Sequence, residues 1–136
     1  MVNETMPEDP LDPFACFVAA VGEPRPAAAN RPIDLDDPGV VLFVERGAVD
    51  ILAAEYGDGR MRSPFRPLVR LERGRLAFGA DLTGHPVKLV AKGLPECRLR
   101  CLSLERLVAE IEGRGDAGGL ADALTAQIDA WVNDFA

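Results

Sequence analysis

Few residues of this chain carry chemistry by themselves. His85 is the only histidine, Ser63 and Ser103 are the only serines, and the cysteines are Cys16, Cys97 and Cys101. A hydrolytic centre needs a nucleophile beside a base that a third group orients. No such partners flank His85, which next to Pro86 reads as a loop residue. Metal-ligand spacing is also missing around this histidine. Cys97 and Cys101 fall in the alternating "CRLRCL", where four residues of strand set their Cα atoms about 13 Å apart, beyond disulfide reach. They read as buried thiols. The chain has no G-x-x-x-x-G-K-[ST] stretch. It reads as non-catalytic, and no cofactor or metal is implied.

Charge is the stronger signal. The net charge is −7, yet residues 60–100 hold 10 basic and 3 acidic side chains, between acidic flanks. This basic island runs from Arg60 to Arg100 and includes Arg66, Arg70, Arg73 and Arg75. One reading makes these outward-facing strand residues, solvated or neutralised by the acidic first segment. The sharper reading makes Arg66, Arg70, Arg73 and Arg75 a docking surface for an acidic partner. Nucleic acid fits poorly, because the domain is acidic, has one Trp and one Tyr, and shows no reader helix.

The elements that would position these groups follow from periodicity. At 136 residues the chain is the size of one domain, and 11 Pro with 13 Gly argue against a helical bundle. No apolar run approaches the roughly 20 residues of a membrane helix, and "MVNETMPEDP" is no secretory signal. The expected location is cytoplasmic. In "LDPFACFVAAVG", Asp12 caps a short helix with Pro13 at its first position, Gly22 past its end, and Phe14, Phe17, Val18 and Val21 on one face. "EPRPAAANRP" reads as an extended connector. "VVLFVE" is then a buried strand, Gly47 a break, and "AVDILAAEY" a strand with Val49, Ile51 and Ala53 on one side. Gly57 to Gly59 forms a hairpin loop. "FRPLVRL" puts Phe65, Pro67, Val69 and Leu71 on one face, with Pro67 marking an edge or a bulge. After "VKLVA", "CRLRCL" turns Cys97, Leu99 and Cys101 inward and Arg98 and Arg100 outward. Ser103 caps a helix carrying Leu104, Leu107, Val108 and Ile111, and "GRGDAGG" breaks it. A last helix bears Leu120, Leu124, Ile128, Trp131 and Phe135 on one stripe and still runs at Ala136, which suggests the front end of something longer.

The fold class expected is mainly β with flanking helices (α+β). Residues 1–29 form an N-terminal helix and connector, 30–102 a β-roll, and 103–136 two C-terminal helices. "VERGAVDI" followed by "LERGRLAFG" resembles the cyclic nucleotide-binding domain, with Val44, Gly47, Val49 and Ile51 matching its first motif and Gly74, Phe78 and Gly79 its second. The run from "RPIDLDDP" through "FGADL" to "GLP" is closer still to the N-terminal domain of nitrile-hydratase-leader-type microcin and bacteriocin ABC exporters.

The resemblance implies a phosphate-binding cassette over residues 71–93. There a short helix would offer its amides to the phosphate, an Arg would pair with it, and a Glu would hold the ribose hydroxyl. Here Ala80 stands at the Glu position, Val87 follows Pro86 where the Arg belongs, and the turn between is shorter than in the family. The cassette reads as degenerate. Gly79, Ala80, Asp81, His85 and Lys88 are its candidate ligand residues, although Asp81 would repel a phosphate and Lys88 alternates outward with Val87 and Leu89. The implied function is a non-catalytic domain of a peptide exporter that contacts an acidic leader peptide, or the transporter's membrane or ATPase regions. Any ATPase or peptidase activity, and any membrane contact, would lie downstream. Trp131 and Phe135 could pack on the roll or serve as a hinge or homodimer contact through the terminal helices. The alternatives are a sensor for a cyclic nucleotide or another small anion, and a structural domain of an assembly or shell protein.

Overall fold

The computed structural model describes residues 12–26, 31–114 and 119–134. Helix α1 (Pro13–Val21) starts where the Asp12 carboxylate accepts the Ala15 backbone N–H at 2.7 Å, and Pro13 supplies a φ already suited to a first turn. Phe14, Phe17, Val18 and Val21 are buried, as the periodicity predicts, and Ala15 joins them. The connector that should follow is partly a strand instead. Residues Glu23–Arg25 form β1, which pairs antiparallel with β9 (Arg98–Ser103). Proline-rich chain is already extended, and an edge position tolerates the missing N–H of Pro24. The remainder of the predicted connector, 27–30, lies outside the described residues.

Two antiparallel sheets follow. One has the order β1-β9-β3-β7, with β3 at Val40–Arg46 and β7 at Leu76–Phe78. The other runs β2-β8-β4, from β2 (Ile33–Asp34) through β8 (Val87–Gly93) to β4 (Ala48–Gly57), with β5 (Arg60–Met61) and β6 (Arg66–Glu72) both on the free side of β4. Strand β3 is apolar from Val40 to Val44, where both its faces are covered. Leu42 and Val44 point between the sheets toward Ile33, Leu35, Ile51, Leu71 and Ala91. Val41 and Phe43 point the other way, into a cluster with Phe14, Val18, Leu107 and Leu124.

Local details differ from expectation where register slips. Between Ile51 and Leu52 the β4–β6 pairing skips Leu68 and leaves it as a bulge. On β4, whose register with β8 is unbroken, Ala54 is buried and Ala53 half-buried. Of the predicted face of β6, Leu71 is buried and Val69 packs beside it, while Phe65 and Pro67 are exposed. Pro67 does mark both an edge and a bulge. The hairpin at Asp58 and Gly59 has φ of 53° and 77°, the left-handed pair that a two-residue turn requires.

Arg100 faces away from Leu99 and Cys101, as the alternation predicts, but it is partly covered there instead of open to water. It faces the helix side, 3.1 Å from a Glu45 carboxylate oxygen, and donates to the Gly22 carbonyl at 3.0 Å. Leu99 is buried as predicted, with Cys97 and Cys101 half-buried against the same cluster.

Helix α2 (Leu104–Gly113) is capped by Ser103, whose Oγ accepts the Arg106 N–H at 3.2 Å. It buries Leu107 and Ile111 but leaves Val108 37% exposed, off the predicted face. Helix α3 (Leu120–Asp134) buries Leu120 and Leu124, whereas Ile128 is 38% exposed. Gln127 takes its place against the strands. Its Oε1 accepts the Leu76 N–H and its Nε2 donates to the Gly74 carbonyl, each at 3.2 Å. The docked stripe is therefore Leu120, Leu124, Gln127, Trp131 and Asp134. Among the described residues no helix is long and apolar enough to cross a membrane.

Candidate functional site

The cassette begins where β7 ends. Gly79 donates its N–H to the Val40 carbonyl and Ala80 donates to the Leu35 carbonyl, each at 3.1 Å. A Cβ on Gly79 would stand 1.9 Å from the Asp37 carbonyl oxygen. Glycine is thus demanded by packing of one backbone on another, and Gly79 needs no ligand to explain it. The Ala80 methyl offers nothing to a sugar hydroxyl.

Residues 79–86 contain turns and bends and no helix. Asp81 accepts the Thr83 N–H at 3.0 Å, and the Thr83 hydroxyl and amide hold its carboxyl below the usual carboxylate range. His85 closes the next turn by donating its N–H to the Leu82 carbonyl at 2.9 Å, and its side chain is exposed. The helix amides that the resemblance implies are not formed here.

A cavity of about 520 Å³ opens beside this turn, lined by Asp34, Asp36, Tyr56, His85, Lys88 and apolar neighbours. Strand pairing says which way it looks. Asp34 and Leu52 lie opposite Val90, and Ala54 lies opposite Lys88. Asp34, Tyr56 and Lys88 therefore share the sheet face that points away from Ile33, Ile51 and Ala91. Lys88 does alternate outward, but not into open water. Its Nζ is 3.7 Å from Asp34 Oδ1 and 5.4 Å from the centre of the Tyr56 ring.

Of the five cassette candidates, the cavity collects His85 and Lys88, while Gly79, Ala80 and Asp81 are not in its lining. Asp34, Asp36 and Tyr56 also line it and lie outside the 71–93 cassette that the resemblance marks. The signal was present in "IDLD", where exposed Asp34 and Asp36 alternate with buried Ile33 and Leu35.

The basic island is largely paired inside the molecule. Arg70 binds Asp50 through two contacts, Nε at 2.7 Å and Nη2 at 3.1 Å, and this carboxylate raises the Arg70 pKa. Arg62 pairs with Asp58, and Arg75 meets Asp134 of α3 at 2.5 Å. Arg66 is exposed, and Arg73 is half-buried beside the Gly74 turn, where φ is 93°. The four arginines named as one docking surface are thus split among different tasks.

Trp131 packs against both apolar clusters and meets Phe78 edge to face, ring centres 6.1 Å apart. Phe135 lies outside the described residues. Burial pushes the Cys97 thiol pKa up, which suits a packing role better than a nucleophilic one.

No protein-family model matches the chain, and no curated protein does. Solved structures do match. The c-di-GMP responsive global regulator CLP of Xanthomonas campestris superposes with TM-score 0.58 at 20% identity, over 89% of this chain and 59% of that one. Reduced, ligand-free CprK gives 0.63 at 15% identity, over 92% and 56%. A transcriptional regulator of the Crp/Fnr family from Eubacterium rectale gives 0.56 at 11% identity, over 90% and 56%.

The fold is that of the cyclic nucleotide-binding domain. The chain spans less than two thirds of the length of these three regulators. Within that cyclic nucleotide-binding fold, residues 79–86 form turns and bends where the resemblance implies a helix.

Proposed function

We propose that this chain is a non-catalytic regulatory domain that has given up cyclic nucleotide binding and works through contacts with other molecules. The observation that supports this most directly is the cassette, which has Ala80 and Val87 in place of the sugar and phosphate partners and a turn in place of the helix. A charged hydrogen bond contributes about 1.5–3 kcal/mol. Losing both partners should therefore weaken cyclic AMP or cyclic GMP binding by roughly 10²- to 10⁴-fold. Calorimetry with either nucleotide at millimolar concentration should show no saturable heat, and micromolar binding would sink this reading.

The setting we propose is the cytoplasmic N-terminus of a bacterial peptide exporter, where the domain would touch an acidic leader peptide or neighbouring transporter parts. The sequence likeness of "RPIDLDDP" through "GLP" supports it.

A second reading, that the domain senses a different small ligand, is favoured by the cavity at Tyr56 and Lys88. It has a route to the helices. Phe78, immediately before the cassette turn, carries Trp131 of α3, so a shifted cassette would disturb the α3 packing. Trp131 fluorescence during ligand titration reads that coupling.

A further inference from the structure

The cavity's polar lining is of the wrong sign for an anion and of the right kind for an amine. Two carboxylates, Asp34 and Asp36, face one ammonium, Lys88. Tyr56 adds the electron-rich face of an aromatic ring, which attracts a cation set above it. That attraction is already in use, since the Lys88 ammonium stands over the Tyr56 ring with the Asp34 carboxylate at its side. The hold is loose. At 3.7 Å the Lys88–Asp34 contact is beyond hydrogen-bond reach, and both side chains remain partly exposed. Asp36 makes no ion pair with a cation among the described residues. The cavity of about 520 Å³ is far larger than an ammonium, and Leu82 gives it an apolar wall for an organic body.

We propose that this cavity is a cation site for a small organic amine, and that the Lys88 ammonium is its built-in competitor. This rests on the second reading above, in which the cavity senses a ligand. The four-carbon stem of Lys88 has rotatable bonds and lets its charged end swing into water. An alkylammonium ligand would then take its place between Tyr56 and Asp34, with Asp36 as a second carboxylate and its alkyl part on the apolar wall.

The test is an NMR titration of the full chain with n-butylammonium chloride, run beside sodium phosphate and cyclic AMP at matched ionic strength. Saturable shifts at Asp34, Tyr56 and Lys88 are expected with the amine and none with the anions. Lys88→Met keeps the stem length and removes the competing charge, so amine affinity should rise about tenfold. Asp34→Asn, at an exposed position, should lower it about tenfold. Tyr56→Leu removes the ring face and should lower it, while Tyr56→Phe keeps the ring face and should bind as the parent does. An unchanged affinity in Lys88→Met overturns the proposal. Shifts at these residues with phosphate alone would also overturn it while leaving the sensing reading standing. Amine binding that leaves the Trp131 indole signal unmoved would support the cation site and remove the sensing reading.

Discussion

Gly79 shows how one residue can look like part of a ligand site and be something else. In the sequence it belongs to "AFGADL", a motif tied to ligand binding in the resembling family, yet the Asp37 carbonyl leaves no room for a Cβ. Gly79→Ala should cost about 2–3 kcal/mol, because neither backbone can yield without breaking the hydrogen bonds to Val40 and Leu35. Thermal or urea unfolding of the variant measures it, and a loss under about 0.5 kcal/mol would contradict the close approach. Asp81 gives a second check at this scale. Its folded pKa lies below the ordinary value, so the Asp81–Thr83 turn contributes above the unfolded pKa and loses that contribution as pH falls through the folded one. Asp81 titration followed by NMR should give a midpoint below that of a model peptide, and Thr83→Ala, which removes the hydroxyl and keeps the amide, should move it part of the way back. The Thr83 contact could not be read from the sequence, because it depends on a two-residue loop geometry that composition does not specify.

At the scale of elements, caps and alternation were legible and register was not. Asp12, Pro13 and Ser103 mark helix starts through chemistry confined to a few residues, so they can be read locally. The slip at Leu68 depends on how β6 meets β4 from a distance, and it sets Pro67 opposite Leu52, off the face that Val69 and Leu71 share. The same limit explains α3. A pure hydrophobic stripe favours Ile128, but the neighbouring Leu76 N–H and Gly74 carbonyl need polar partners, and only Gln127 on that turn supplies both a donor and an acceptor. Gln127→Leu keeps bulk and leaves two backbone groups unpaired, so the α3 contact should weaken by about 1–2 kcal/mol. Hydrogen exchange at the Leu76 amide should quicken, and unchanged protection there would show that Gln127 is not its partner. Trp131→Ala should cost more, about 3 kcal/mol, since it removes the ring that both clusters share.

Across the whole molecule, the charge segregation seen along the chain is largely undone by folding. Basic residues of the island reach back to Asp34, Glu45, Asp50 and Asp58 in the acidic first segment and forward to Asp134. Exposed pairs of this kind contribute about 0–1 kcal/mol each. Their effect is greater on what remains available to a partner. Arg60, Arg66, Lys92 and Arg98 form no ion pair among the described residues, and Arg60 and Arg66 lie on the same side of β4, opposite Gly57 and Ala53. If an acidic leader peptide docks on the island, these two arginines should carry more of the contact than Arg70, which Asp50 already holds. Reversal of both to Glu should weaken leader binding about tenfold, and raising salt should weaken it in the parent protein, because exposed charges are screened beyond roughly 10 Å at 0.1 M. The melting temperature should stay near that of the parent, since neither residue is buried. Arg70→Glu is a poor test by itself. It sets two carboxylates side by side at Asp50 and would disturb the β4–β6 contact whether or not a peptide binds there. Reversal of Glu110 and Glu112 on α2, outside the island, is the control for location. Equal loss from that control would make the effect non-specific, and unchanged affinity in the Arg60 and Arg66 variant would take the island out of leader recognition.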